Sequence, residues 1–104
     1  MDLANAHSAA LLYLLENNPN YLNLNIGSGK GVSVLELIET FNKVNKCKIP
    51  YKFSNRRNGD HPYLVANNAL ALKLINWEPK KNLEDICSDT WRWIKQTQTM
   101  RNKI

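Results

Sequence analysis

Leu22-Asn23-Leu24-Asn25-Ile26-Gly27-Ser28-Gly29-Lys30-Gly31-Val32-Ser33-Val34-Leu35-Glu36 is the stretch whose reading decides the fold class. Its first half alternates. Leu22, Leu24 and Ile26 fall on one side of an extended backbone, and Tyr21, Asn23 and Asn25 fall on the other, which is the period of a half-buried strand. Its second half changes to the helical period, with Val34, Leu37, Ile38, Phe41 and Val44 on one face out to about Asn45. Between the two, Gly27, Gly29 and Gly31 make a tight turn. Ser33 with Glu36 three residues later reads as a capping box, in which the hydroxyl and the carboxylate each satisfy an orphan backbone N–H. Strand, turn and helix in succession predict an α/β arrangement.

Upstream, Leu3 to Glu16 contains no helix breaker and sets Leu3, Ala6, Ala10 and Leu14 on one face, widened by Leu11 and Leu15, so it is read as a buried helix. Asn17-Asn18-Pro19-Asn20 ends it, because proline cannot continue the hydrogen-bond ladder and asparagine tolerates turn geometry. Downstream, Ile49 to Phe53 is short and carries Pro50, which suits an edge strand. Ser54 to Asn67 has neither period and is expected to be a long irregular loop, of the kind that is functional or disordered in compact domains. Asn67 or Asn68 then caps a helix over Ala69 to Ile75. Asn82 caps a last helix from Leu83 to about Gln96, with Leu83, Ile86, Cys87, Thr90, Trp91 and Ile94 inward. The sum is a helix-dominated α/β lobe of about four helices and two or three short strands.

The chain has 104 residues and a mass of 12.0 kDa, one domain's worth. A globular chain of this mass would expose roughly 6,000 Å² of roughly 17,000 Å² and hold one small core. Fourteen Lys and Arg against nine Asp and Glu give +5, so an anionic partner is expected. No basic run exceeds two residues, however, which is unlike a dedicated DNA-binding stripe, and a nucleic-acid partner is not expected. Cys47 and Cys87 lie far apart without CxxC spacing or neighbouring histidines, so a metal site is not expected and both are read as reduced and structural. No apolar run is long enough for a membrane span, and the opening residues lack a basic leader, so a soluble cytoplasmic protein without membrane partners is expected.

Among residues that carry chemistry, Gly27 to Gly31 has neither the Walker spacing nor the dinucleotide fingerprint, and is read as a structural turn. Arg56-Arg57-Asn58-Gly59-Asp60 is more pointed. Two guanidiniums beside an Asn-Gly turn offer planar multiple donors to a phosphate, and Asp60 can orient an arginine or accept from a sugar hydroxyl. The competing reading is a solvated charged turn. His7 is read as a satisfied helix histidine. His61 has no nucleophile or second carboxylate beside it at a recognisable spacing.

Asp2-Leu3-Ala4 with Ala6-His7, then Leu24-Asn25-Ile26-Gly27-Ser28-Gly29-Lys30-Gly31 with Ser33-Val34-Leu35-Glu36, then Arg56-Arg57-Asn58-Gly59-Asp60, then Trp77-Glu78-Pro79 with Leu83-Glu84-Asp85-Ile86 and Trp91-Arg92-Trp93 resemble, in that order, the C-terminal part of UDP-glucose 4-epimerases. These belong to the extended short-chain dehydrogenase superfamily. The resemblance runs from Asp2 to about Trp93. It implies that residues 1–98 are a substrate-binding domain, followed by a disordered tail at 99–104. It implies that Arg57 contacts the UDP diphosphate, that Asp60 bonds the ribose or fixes the loop of Arg57, that Arg56 plays a lesser part, and that Leu64 lines the sugar pocket.

The family interconverts UDP-glucose and UDP-galactose in galactose metabolism, through hydride transfer to and from a bound NAD. Its glycine fingerprint, its Ser or Thr and its Tyr-x-x-x-Lys pair have no counterpart here: Tyr13, Tyr21, Tyr51 and Tyr63 are each followed four residues later by Asn. The expectation is therefore a truncated isomerase, inactive alone, with no catalytic residue and no cofactor site in this chain. Its partners would be a UDP-sugar and either a separate NAD-binding domain or a second copy meeting an exposed domain interface. Two other readings stay open: a small basic anion- or protein-binding module that keeps the fold without the activity, and part of another nucleotide-sugar epimerase or dehydratase.

Overall fold

The computed structural model describes residues 1–103, which carry four helices: α1 (Asp2–Asn17), α2 (Val34–Asn45), α3 (Ala69–Ile75) and α4 (Leu83–Arg101). The chain divides into two compact units, one of residues 1–31 with 61–80 and the other of 32–60 with 81–104. Its accessible surface is 9271 Å², well above the roughly 6,000 Å² of a globular chain of its mass. Buried side chains are correspondingly few, and they do not gather into the single core expected.

In the first unit α1 packs against α3, and Ala6, Ala71 and Trp77 form the buried cluster, with Ile26 and Ile75 against it. The indole N–H of Trp77 donates to the carbonyl of Asp2 at 2.9 Å, and the Asp2 carboxylate accepts from the Lys80 backbone N–H at 2.9 Å. The N-terminal turn of α1 is thereby tied to the chain beyond α3. Asn18, at φ 47 and ψ 47, ends α1 in the left-handed conformation that asparagine tolerates.

The buried face of α1 differs from its sequence reading. Ala6 is buried and Ala9, Ala10 and Tyr13 are half-buried, whereas Leu3, Leu11, Leu12, Leu14 and Leu15 are 36–73% exposed. Alanines let α1 approach α3 closely, since Ala71 on the facing helix has no exposed surface. The leucines form a second apolar face that nothing in this unit covers.

The two or three strands expected are not present among the described residues. Tyr21 to Ile26 keeps the alternation, with Leu22, Leu24 and Ile26 half-buried and Tyr21, Asn23 and Asn25 exposed. A strand, however, is defined by its ladder, and a single extended segment has no neighbour to exchange backbone hydrogen bonds with. Beside it an open groove of about 490 Å³ is lined by Leu22, Asn23, Leu24, Asn25, Asn67 and Leu70. Ile49 to Phe53 likewise pairs with nothing, and Pro50 to Phe53 are exposed throughout. The α/β expectation thus reduces to a helix-dominated fold with unladdered extended segments.

In the second unit α2 packs against α4. Phe41 meets Trp91 edge to face at 5.6 Å between ring centroids, and the Lys95 ammonium lies 5.3 Å from the centre of the Trp91 ring. Ile38, Phe41 and Val44 from α2 and Leu83, Trp91 and Ile94 from α4 are half-buried around Cys87, which is fully buried. Ile86 and Thr90, expected inward, are exposed, and Trp93 is 66% exposed.

Both long helices of this unit start as read: Ser33 with Glu36, and Asn82 with Asp85, form reciprocal capping boxes. Helix α4 continues to Arg101, so residues 99–101 of the expected tail are helical, and Ile104 lies outside the described residues.

Candidate functional site

The most defined local geometry among the exposed residues is the turn Arg57-Asn58-Gly59-Asp60. The Asp60 backbone N–H donates to the Arg57 carbonyl at 3.3 Å, and Gly59 sits at φ +85 with open space where a Cβ would stand. This is the hydrogen-bonded turn that requires a left-handed third residue, the position glycine fills without steric cost. The turn brings the Arg57 Nε–H onto the Asp60 carboxylate at 3.0 Å.

An exposed pair of this kind contributes little to stability. What it does is orient the guanidinium. Only the Nε edge is used, so the terminal amino groups stay available to a second anion, and the carboxylate keeps one oxygen for a hydroxyl donor. Arg57 and Asp60 are thus brought together. Arg56 is exposed and lies outside the pair, and Leu64, 85% exposed, belongs to the other unit.

The glycine-rich turn does different work. The Asn68 side chain accepts from the Gly27 N–H at 3.0 Å and donates to the Gly27 carbonyl, so one amide side chain does for Gly27 what a neighbouring strand would do. A Cβ on Gly27 would stand 2.8 Å from that of Ala66, closer than real side chains come. The Ser28 hydroxyl accepts from the Lys30 N–H at 3.3 Å and donates to the Lys30 carbonyl.

At the start of α2 the Ser33 N–H is held by the Glu36 carboxylate at 2.7 Å, and the Glu36 N–H by the Ser33 hydroxyl at 3.1 Å. A dinucleotide pyrophosphate needs free loop amides and a helix N-terminus without a competing anion. Here Gly27 and Lys30 are already hydrogen-bonded, and a glutamate occupies the helix start. The residues present do not fit NAD, and no reaction step is assigned to them.

The remaining sites read from the sequence are plain. His7 is exposed and its Nδ1–H donates to the Leu3 carbonyl at 2.8 Å, as a satisfied helix histidine does. His61 is exposed. Cys87 has its thiol pushed above its ordinary value of 9.0, first by burial and then by the nearby Glu84 carboxylate, so it stays protonated and unreactive near neutrality. Among the described residues no group of three His, Cys, Asp or Glu side chains could hold a metal ion, and no helix is long and apolar enough to cross a membrane.

Of the two asparagines offered as the cap of α3 the structure takes one, and the sequence reading missed the work of Asn68, Asn42 and Asn45. Asn67, not Asn68, accepts from the Ala69 N–H at the start of α3, while Asn68 turns away to Gly27. Asn42 accepts from the Ile49 N–H at 2.9 Å, and Asn45 donates to the Cys87 carbonyl at 3.2 Å, fixing the chain where it leaves α2. The partners of Asn68 and Asn45 lie more than forty residues away in sequence, and no local pattern signals them.

No family model matches the chain. It is 42% identical over 93 residues to UDP-glucose 4-epimerase of Bacillus subtilis, covering 89% of this chain and 27% of that protein. It is 43% identical over 96 residues to UDP-glucose 4-epimerase of Bos taurus, covering 92% and 27%. The crystal structure of UDP-glucose 4-epimerase from Bifidobacterium longum in complex with NAD+ and UDP superposes with a TM-score of 0.75 at 28% identity, over 91% of this chain and 28% of that one. The chain therefore spans about a quarter of the length of the curated relatives it matches. In sequence and in fold it corresponds to a C-terminal segment of the UDP-glucose 4-epimerase family.

Proposed function

We propose that this chain supplies the substrate side of a UDP-sugar site and is inactive by itself. Residues 1–98 act as the substrate-binding domain and the last residues as its tail. Arg57 takes the diphosphate through the amino groups that Asp60 leaves free, Asp60 accepts from the ribose, Arg56 adds a second cation, and Leu64 lines the sugar pocket. The observation that carries the reading is the Arg57–Asp60 turn, which presents an oriented guanidinium in a chain whose relatives are epimerases. Hydride transfer requires a positioned nicotinamide and a general base. These come from an NAD-binding domain, and the exposed leucine face of α1 is the surface it covers. The compartment that suits a nucleotide sugar and two unpaired cysteines is the cytoplasm.

Titration of the purified chain with UDP, UDP-glucose and ATP at low salt tests this, with Arg57→Ala beside the wild type. Saturable binding of the uridine compounds over ATP is expected. The variant is expected to weaken it about tenfold or more, as losing a charge-assisted contact does. Equal binding of ATP, or no change on removing Arg57, refutes the assignment.

A further inference from the structure

The chain's net charge is not shared between its two units. The first unit holds three basic and three acidic side chains, and the second holds eleven basic and six acidic, so the whole +5 lies on the second. Within that unit it is concentrated further. Lys43, Lys46, Lys48, Lys52, Arg56 and Arg57 follow one another with no acid between Glu39 and Asp60, and all six are exposed. Among the described residues only Arg57 of the six is in an ion pair. Counting contiguous runs hides this, because apolar residues separate the cations.

The spacing has structural content. Lys46 closes α2 in the left-handed conformation, and beyond it Cys47 and Ile49 are half-buried while Lys48 between them is exposed, the alternation of an extended backbone. From Pro50 on every side chain of the segment is exposed, and Tyr51 and Phe53, two apart, meet edge to face at 5.8 Å and are 57% and 81% exposed. Asn42 anchors the start of this segment through the Ile49 N–H. The last turn of α2 and the anchored, unladdered run that follows it therefore present six exposed cations interleaved with two exposed aromatic rings.

We propose that residues 43–57 bind single-stranded nucleic acid, with the Lys and Arg heads on successive phosphates and bases laid on Tyr51 and Phe53. An aromatic face takes any base, and long cationic stems reach round the backbone to the phosphates, so the binding is sequence-tolerant and salt-dependent. A membrane surface would be met more naturally by an amphipathic helix with a basic polar face, and beyond Asn45 this segment is not helical.

Fluorescence anisotropy of a labelled oligo(dT) with the full chain tests the proposal. Saturable binding is expected at low salt, with log affinity falling against log salt at a slope of about −3 for four to five neutralised phosphates. The triple variant K46Q/K48Q/K52Q, changed only at exposed positions and checked for helicity by circular dichroism, is expected to lose at least tenfold in affinity and to flatten the slope by about 2. Y51A/F53A is expected to weaken oligo(dT) binding several-fold while leaving inorganic polyphosphate binding unchanged. Both variants retain Arg56, Arg57 and Asp60, so their UDP titrations should match the wild type and the two readings fail independently. No saturable binding at low salt overturns the proposal, as does an unaltered triple variant. Equal loss of polyphosphate binding in Y51A/F53A, or tight binding to phosphatidylserine vesicles without binding to oligo(dT), overturns it too.

Discussion

Replacing Asn68 with alanine removes both hydrogen bonds that hold Gly27, and the structure sets the size of the loss. Asn68 stands at φ −91 and ψ 5, which alanine adopts without strain, and its side chain makes no cap to α3, so the helix loses nothing at its start. What is lost is one bond accepted from the Gly27 N–H at 3.0 Å and one donated to its carbonyl, both partly buried. Each is worth about 1 kcal/mol, and leaving both backbone groups without a protein partner brings the cost to about 2 kcal/mol or more. In a domain of this size 1 kcal/mol moves Tm by about 4–8 °C, so Asn68→Ala is expected to melt about 10 °C lower by circular dichroism. Asn68→Asp provides the control. Its carboxylate can still accept from the Gly27 N–H but cannot donate to the carbonyl and sets an oxygen against it, so it should remain less stable than the wild type. An alanine variant within about 2 °C of the wild type, or an aspartate variant of undiminished stability, refutes the reasoning.

Gly59→Ala places a Cβ at φ +85, which costs about 1 kcal/mol. It is expected to loosen the Arg57–Asp60 turn, reducing UDP affinity several-fold by calorimetry while helicity is unchanged. Leu11→Glu with Leu15→Glu alters two side chains that are 59% and 73% exposed, so it should leave the fold intact. Each exposed leucine offers about 1 kcal/mol to a covering surface, and sedimentation velocity should show the double variant monomeric at concentrations where the wild type associates. Alkylation near neutral pH should modify Cys47, half-buried, well before Cys87, fully buried. Because folding raises the Cys87 pKa, its contribution to stability is fully present below the ordinary value of 9.0 and is lost as pH rises past it, so urea midpoints should fall between pH 8 and 10 more in the wild type than in Cys87→Ala.

All four helices are legible in the sequence, α3 to the residue, because α1 is an unbroken run with an apolar face and each of the other three follows a serine or asparagine that can cap it. The Ser33–Glu36 capping box is visible for the same reason, the partners being three residues apart so that local geometry alone makes the bonds, and to the cap read at Asn82 the structure adds the reciprocal bond from Asp85. The turn at Asn58-Gly59 belongs with them, since only a left-handed third position closes it, and with the turn comes the meeting of Arg57 and Asp60. The alternation of Leu22, Leu24 and Ile26 was also read correctly, down to which side chains are half-buried.

What sequence could not decide is what those faces meet. Periodicity places a residue on a face but says nothing of the neighbour, so α1, apolar nearly all round, reads as one buried helix. The packing of its alanines against Ala71 turns its leucines outward instead. A strand is a relation between two segments, and the alternating stretch lies alone among the described residues. The bonds of Asn68 to Gly27 and of Asn45 to Cys87 span more than forty residues and leave no local trace. The gathering of the net charge on one unit was written in the order of residues, yet it became visible only once the fold had separated the chain into its two parts. Local hydrogen bonding and sterics are settled within a few residues of chain; burial, ladders and charge fields are sums over neighbours that only the folded backbone brings together.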